Sequence, residues 1–167
     1  LASEIPRPDA SMKQGQWLKK QFEGVELSGK TLGTIGYGRI GMEVGRRATA
    51  FGMNVIAYDP LISDEDIKKR GAEPVALLDG IYAWSDFISL HLPLTKDTRN
   101  LIGREAFSQM KDGVRIVCAA RGGIIDEAAL LAALESGKIA GAALDVFTSE
   151  PPGATDLVKH PKVIATP

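Results

Sequence analysis

The sequence is poor in cysteine, in long apolar runs and in net charge. Its single cysteine, Cys118, excludes an internal disulfide and fits a reducing compartment such as the cytoplasm. No apolar run approaches the ~18 residues that a membrane-spanning helix needs. The net charge of −1 offers no excess of positive charge to attract nucleic acid or an anionic membrane surface. We therefore expect a cytoplasmic globular protein without a nucleic-acid or membrane partner, and we predict no metal site.

Both ends of the sequence resemble segments from the middle of a longer chain. The sequence does not begin with Met and shows no charged-then-apolar signal pattern, and it stops directly after the apolar segment KVIATP. Residues 1–29 are polar and contain DASMKQGQWLKKQF, which favours an amphipathic helix with Trp17 packed on a neighbouring surface. We expect a piece of a longer chain, in which residues 1–29 are a connecting helix and lead-in and residues 30–167 form one domain.

Apolar segments that predict buried strands alternate with helical segments after residue 30. The predicted strands are KTLGTIG, MNVIAYD, DFISLHL, GVRIVCAA, AGAALDVF and KVIAT. Helices are predicted at 39–51 and in SDEDIKKR, VALLDGIYAW, GREAFSQMK and DEAALLAALESG, with Ser63 and Asp126 as N-caps. Strands that are apolar throughout belong to parallel sheets covered on both faces. The sequence therefore predicts an α/β fold with a doubly wound parallel sheet, a Rossmann-type dinucleotide-binding domain.

Three glycines, Gly36, Gly38 and Gly41, have the spacing G-x-G-x-x-G between the first predicted strand and the first predicted helix. The pattern alone is weak, but Asp59 ends the second strand about 20 residues further on, which completes the fingerprint. Gly36 would permit the tight turn, Gly38 the approach of a pyrophosphate, and Gly41 close packing of helix and strand. The helix N-terminus would supply free N–H groups to the pyrophosphate. Asp59 would bind the adenosine ribose hydroxyls and repel a 2′-phosphate, so we predict NAD rather than NADP.

Two long segments resemble the signatures of a known family, the D-isomer-specific 2-hydroxyacid dehydrogenases. LGTIGYGRIGMEVGRRATAFGMNVIAYDP is similar to the family's cofactor-binding signature, and MKDGVRIVCAARGGIIDEAALLAALESGKIAGAALDVFTSEPP to its second and third signatures. The resemblance covers essentially the whole chain. It implies a two-lobed, homo-oligomeric enzyme whose NAD-binding domain, matched here, is inserted into a substrate domain. The implied reaction is hydride transfer between NAD and a small D-2-hydroxyacid, and the resemblance favours 3-phosphoglycerate and a role in serine biosynthesis.

The family's catalytic residues are an Arg, a Glu and a His. The resemblance places the Arg at Arg121, where it would grip the substrate carboxylate, and the Glu at Glu150, where it would hydrogen-bond the His and raise its basicity. The His is implied just beyond Pro167, and neither His91 nor His160 takes its place. We therefore expect the 167-residue chain alone to be inactive.

Further cofactor contacts are implied by position in the family's motifs. Arg39 and Ile40 would lie at the pyrophosphate, Pro60 beside Asp59, and Thr98 near the phosphates. The other implied positions are His91, Leu92 and Pro93 at the adenosine side, Ala119 and Ala120 at the nicotinamide ribose, and Asp145 at the carboxamide. The chain departs from the family at Leu92, which is often Thr, and at Cys118, which is usually Asn and braces the following loop.

Two alternative functions remain open at this point. Corepressor-like proteins that sense NAD(H) resemble the same family and keep the Arg and the Glu. Glyoxylate and hydroxypyruvate reductases also share the motifs, and substrate choice in the family rests largely with the other domain.

Overall fold

Seven strands and seven α-helices follow one another along the chain in the computed structural model, which describes residues 1–167. The strands are β1 Thr31–Ile35, β2 Asn54–Tyr58, β3 Glu73–Pro74, β4 Phe87–Leu90, β5 Val114–Cys118, β6 Ile139–Leu144 and β7 Val163–Ala165. The helices are α1 Pro6–Lys13, α2 Arg39–Ala50, α3 Asp64–Lys69, α4 Leu78–Trp84, α5 Arg104–Gln109, α6 Glu127–Glu135 and α7 Asp156–Lys159.

All seven strands form one parallel sheet in the order β3-β2-β1-β4-β5-β6-β7. From β1 the chain continues to β2 and β3 on one side of the sheet, and from β4 it continues to β5, β6 and β7 on the other side. The connections that leave β1 and β4 therefore diverge. In such sheets the crevice between the carboxyl ends of the diverging strands is the usual ligand site. The predicted doubly wound α/β fold is confirmed.

Alternate side chains of the central strands pack on opposite faces of the sheet. Leu32, Val55 and Phe87 belong to a cluster of nine buried residues on the side of α2 and α3. Ile56 and Ile88 pack in a cluster of 23 buried residues on the side of α4, α5 and α6. Continuous apolar character in these strands is therefore explained by burial on both faces.

The two predicted N-caps are present. The Ser63 hydroxyl accepts a hydrogen bond from the Asp66 N–H over 3.1 Å at the start of α3. The Asp126 carboxylate accepts one from the Ala129 N–H over 3.0 Å at the start of α6. Each cap satisfies a donor that the first helical turn leaves without a partner.

The helix predicted within DASMKQGQWLKKQF was wrong in its bounds. Helix α1 ends at Lys13, and the rest of the segment holds a turn and one 3₁₀ turn at Lys19–Gln21. Gly15, with a φ of +74°, takes the left-handed conformation that ends helices, and the periodic pattern of apolar residues did not reveal this stop. Trp17 is 77% exposed, so no surface within the chain covers it. No helix has the length and apolar content needed to cross a membrane.

Candidate functional site

The glycine turn joins β1 to α2 at the divergence point of the sheet. Gly36 has a φ of +90°, and a Cβ at this position would lie 2.5 Å from the carbonyl oxygen of His91. A Cβ at Gly41 would collide with the carbonyl oxygen of Gly36. The Gly36 N–H donates to the Tyr58 carbonyl over 2.8 Å, which ties the turn to the end of β2. Only glycine fits at positions 36 and 41 with the backbone in this arrangement.

Gly38 differs from Gly36 and Gly41 because a side chain at this position would meet no other atom. Its φ is −67°, and a Cβ there would meet no atom within 4 Å. The N–H groups of Gly38, Arg39, Ile40 and Gly41 donate to no acceptor within the chain. Four N–H groups without an acceptor therefore lie at the positive end of the helix dipole, and the space beside Gly38 is open, which suits an anionic group such as a pyrophosphate.

Asp59 follows β2 directly and lies against the same turn. One carboxylate oxygen accepts a hydrogen bond from the Tyr37 N–H over 2.8 Å, and the other accepts one from the Leu61 N–H over 2.9 Å. Pro60, which follows Asp59 in the sequence, is exposed. A carboxylate offers about four acceptor positions, so Asp59 keeps capacity for two ribose hydroxyls while it holds the turn.

His91 follows β4 and forms the opposite wall of the turn. The backbone N–H of His91 donates to the Ile35 carbonyl over 2.8 Å. The imidazole ring lies 3.4 Å from where a Cβ on Gly41 would stand. The Nε2 atom is 2.9 Å from the hydroxyl of the buried Ser89. Burial lowers the pKa of His91, so its ring is neutral at pH 7. It can therefore line an apolar groove without adding charge.

A cleft of about 670 Å³ runs from this turn along the sheet, within the range of small-molecule and cofactor sites. Seven of the residues predicted from the sequence line it, namely Ile40, His91, Leu92, Pro93, Ala119, Ala120 and Arg121. Thr98 lies outside the cleft lining. Its hydroxyl donates to the Pro93 carbonyl and accepts from the Thr95 N–H, each over 2.7 Å, so in the structure it braces the loop after β4. A phosphate contact at Thr98 stays a prediction.

The loops after β5 and β6 hold the two predicted catalytic residues and pack against each other. A Cβ at Gly122 would collide with the Phe147 carbonyl, so the loop that carries Arg121 rests on the segment that leads to Glu150. Arg121 is exposed, and one of its nitrogens donates to the Ala120 carbonyl over 2.6 Å. The Glu150 carboxylate accepts from the Phe147 N–H over 3.0 Å, which fixes it beside the end of β6.

Glu150 and Asp145 line a second cavity of about 380 Å³ next to the end of β7, and Arg121 lines the first. The structure thus brings the two predicted catalytic residues onto touching loops but into separate cavities. Asp145 accepts a hydrogen bond from the Thr166 hydroxyl.

Sequence reasoning missed several residues that shape the site. Tyr37, between the first two glycines, is fully buried, and Arg70 at the end of α3 donates to its carbonyl. Ser89 and Thr166 hold His91 and Asp145. An aromatic residue inside G-x-G was a visible signal, whereas Arg70, Ser89 and Thr166 carry no sequence pattern that marks them.

Cys118 closes β5 beneath the Arg121 loop. Burial raises the pKa of the thiol, although the N–H groups of Ala120 and Arg121 near it act in the opposite direction. A protonated buried thiol agrees with the interpretation that Cys118 is a strand residue and not a nucleophile. No group of three or more His, Cys, Asp or Glu side chains is placed to hold a metal ion.

The family model for the D-isomer specific 2-hydroxyacid dehydrogenase, NAD binding domain, matches residues 1–167. The D-3-phosphoglycerate dehydrogenase of Rattus norvegicus is 53% identical over 167 residues, which are 100% of this chain and 31% of that protein.

Two solved structures share the fold closely. A glyoxylate reductase from Paecilomyes thermophila superposes with a TM-score of 0.92 and 42% identity, over 99% of this chain and 50% of that one. The D-lactate dehydrogenase from Aquifex aeolicus, solved with NAD and lactic acid, gives a TM-score of 0.88 and 37% identity, over 99% of this chain and 54% of that one. The chain therefore spans about a third to a half of the proteins that it matches.

Proposed function

The chain belongs to the NAD-binding domain family of the D-isomer specific 2-hydroxyacid dehydrogenases, and from this premise we propose that it is the cofactor-binding part of an enzyme that oxidises 3-phosphoglycerate. The observation that carries the proposal is the set of four unpaired N–H groups at the start of α2, next to Asp59 and at the mouth of the cleft. This arrangement supports NAD as the cofactor, which is also the cofactor of the family.

The glycine turn, the end of β2 and the cleft beside them each suit one part of NAD. The glycine turn would hold the pyrophosphate, and Asp59 with Pro60 would hold the adenosine ribose. Asp59 is an anion, and none of the residues of the turn after it up to Ser63 is basic, so a 2′-phosphate would meet the repulsion of Asp59 and gain no positive charge from that turn. The apolar lining around Ile40, Leu92 and Pro93 would cover the bases.

When bound, NAD would supply the acceptor for the hydride that leaves the carbon bearing the substrate hydroxyl. Arg121, exposed on the loop after β5, would bind the substrate carboxylate with its guanidinium and polarise the reacting carbonyl. Glu150, held by the Phe147 N–H, would orient a histidine that moves the hydroxyl proton. These two roles rest on the resemblance, and the touching loops of Arg121 and Glu150 support them.

Identity favours 3-phosphoglycerate over the alternative substrates. The rat D-3-phosphoglycerate dehydrogenase is 53% identical to the chain, against 42% for the glyoxylate reductase and 37% for the D-lactate dehydrogenase. The proposal places the enzyme in serine biosynthesis, as a homo-oligomer in the cytoplasm without a nucleic-acid partner. A single, buried, free thiol supports a reducing compartment.

Two measurements test the proposal. Calorimetric titration of the 167-residue chain should show tighter binding of NAD than of NADP, and equal or tighter binding of NADP would overturn the cofactor assignment. The full-length enzyme should reduce NAD with 3-phosphoglycerate in preference to glycolate or D-lactate. An NAD-binding protein without turnover of any of the three would instead support a sensor of the corepressor type.

A further inference from the structure

We propose that Arg70 is a positioning residue for the cofactor, acting through the backbone of the glycine turn. The inference rests on the proposed NAD site. Arg70 lies at the C-cap of α3, outside the cleft lining, and its guanidinium donates to the carbonyl of Tyr37 over 2.9 Å. Tyr37 stands between Gly36 and Gly38, so this bond connects a distant helix end to the centre of the turn.

Tyr37 is anchored on three sides. Its ring is fully buried between α2 and β2, and its hydroxyl lies 3.3 Å from the Arg70 carbonyl, to which it donates. A Cβ at Gly45 would lie 2.6 Å from that hydroxyl oxygen, so a glycine in α2 makes room for the ring. Tyr37 and Arg70 therefore form a reciprocal pair, in which each side chain bonds the other residue's carbonyl.

Both peptide groups that flank Tyr37 are held by side chains. Asp59 accepts from the Tyr37 N–H, which fixes the peptide group that joins Gly36 to Tyr37. Arg70 donates to the Tyr37 carbonyl, which fixes the peptide group that joins Tyr37 to Gly38. None of these bonds belongs to the regular ladder of a helix or strand, so the turn depends on these two side chains for its orientation.

The planarity of the peptide group carries the effect of Arg70 to the site. In a trans peptide the C=O and the N–H point in opposite directions. When Arg70 draws the Tyr37 carbonyl toward α3, it directs the Gly38 N–H away from α3. That N–H has no acceptor in the chain, and the space beside Gly38 is open. Arg70 thereby aims the donor that would meet the pyrophosphate.

The test compares Arg70→Met with Lys69→Met on the 167-residue chain, because Met has a long side chain without a hydrogen-bond donor. Lys69 is the preceding residue, is exposed, and pairs only with Glu65 and Asp66 on its own helix, so its substitution removes the same charge without touching the turn. Arg70→Met should weaken NAD and ADP binding about three- to tenfold, the effect of losing one ordinary hydrogen bond, and leave adenosine binding unchanged. Lys69→Met should change none of the three, and Arg70→Lys should restore NAD binding to within about twofold because one donor suffices.

Three outcomes would overturn the inference. NAD binding by Arg70→Met equal to that of Lys69→Met would show that the bond to Tyr37 has no effect on the cofactor. Equal losses for NAD and adenosine, or a lowered Tm with unchanged NAD binding, would show a merely structural role. Failure of the wild-type chain to bind NAD would instead overturn the proposed function on which the inference rests.

Discussion

Asp59 has two tasks in this structure, and the sequence fingerprint indicates only one of them. The fingerprint predicts a carboxylate that binds the adenosine ribose. In the structure the same carboxylate also accepts hydrogen bonds from Tyr37 and Leu61. Substitution of Asp59 therefore affects both the ribose site and the shape of the glycine turn, and experiments have to separate the two.

We predict that Asp59→Ala weakens NAD binding by about tenfold or more and narrows the preference over NADP. The substitution removes charge-assisted hydrogen bonds, each worth about 1.5–3 kcal/mol, and the repulsion of a 2′-phosphate. Asp59→Asn keeps an acceptor for the turn and should lose less NAD affinity while it gains NADP affinity. Titration with both cofactors checks this, with Asp64→Ala as a control for surface charge. An unchanged NAD to NADP ratio in both Asp59 variants would contradict the assignment.

His91 gives the stability of the chain a defined pH dependence. Burial lowers its pKa below the ordinary value of 6.5, at which the unfolded chain takes up the proton. Between the two pKa values the unfolded state binds more protons than the folded state, so the free energy of unfolding falls as pH drops through about 6.5. The slope from this one group is at most about 1.4 kcal/mol per pH unit.

Thermal unfolding between pH 5 and pH 8 checks this prediction. His91→Gln should reduce the loss of Tm between pH 7 and pH 5.5, whereas His160→Gln, on the loop before β7, should leave it as in the wild type. A pH profile that His91→Gln does not alter would show that other groups account for the acid sensitivity.

At the scale of elements, six of the seven strands and most helices were predictable because their sequence patterns are local, whereas the two-residue strand β3 was missed. Apolar runs of β1, β2 and β4 end in glycine, aspartate or a His-Leu-Pro turn, and the helix caps at Ser63 and Asp126 are visible as single residues. The bounds of α1 were not predicted correctly because a single left-handed glycine, Gly15, outweighed a long helical pattern.

The site was predictable to the extent that it follows from backbone geometry. Glycine spacing and the end of β2 predicted where the turn and Asp59 meet, because carboxyl ends of parallel strands share one edge. His91 was expected there only from the resemblance to the family. The pairing of Tyr37 with Arg70, or of Ser89 with His91, depends on side chains brought together by packing. No spacing rule encodes such contacts, so the structure was needed to find them.

We predict opposite phenotypes for two glycines of the same turn. Gly38→Val should fold with a Tm near that of the wild type and lose NAD binding by about 100-fold or more, since its side chain enters only the open space beside the four free N–H groups. Gly41→Val should lower the free energy of unfolding by about 1–3 kcal/mol or more, because its Cβ meets the Gly36 carbonyl. Chemical denaturation and NAD titration of both variants check this. An unchanged dissociation constant in Gly38→Val would mean that the dinucleotide binds elsewhere.

At the scale of the whole molecule, these 167 residues contain all the predicted parts of the NAD site but only some of the predicted catalytic residues. The glycine turn, Asp59 and the cleft are all present. Of the catalytic residues that the family implies, Arg121 and Glu150 are present, but the two histidines are elsewhere. His91 is neutral and half-buried against Gly41, and His160 precedes β7. The 167-residue chain should therefore be able to bind NAD without catalysing the reaction.

We predict that the 167-residue chain binds NAD but does not oxidise 3-phosphoglycerate at a measurable rate. General acid–base catalysis alone contributes about 10²–10⁴ in rate, and a closed cleft that aligns the reactants contributes further. An assay of NADH formation with 3-phosphoglycerate checks this against a full-length enzyme as positive control. Turnover within about tenfold of that enzyme would mean that the catalytic centre has been misplaced, and His91 would become the leading candidate.

The pairing of β1 with β4, called the joint here, links ligand binding to the assembly of the fold. Thr31 and Asp86, which bond each other at the start of the two strands, are 55 residues apart in sequence. Closing so long a loop costs chain entropy before any contact compensates for it, so this pairing is an expensive step of folding. Gly36 and His91 come together only across that joint. A dinucleotide bound there would favour the closed joint over either half of the sheet alone, and would so stabilise a contact between residues that are 55 positions apart in the sequence.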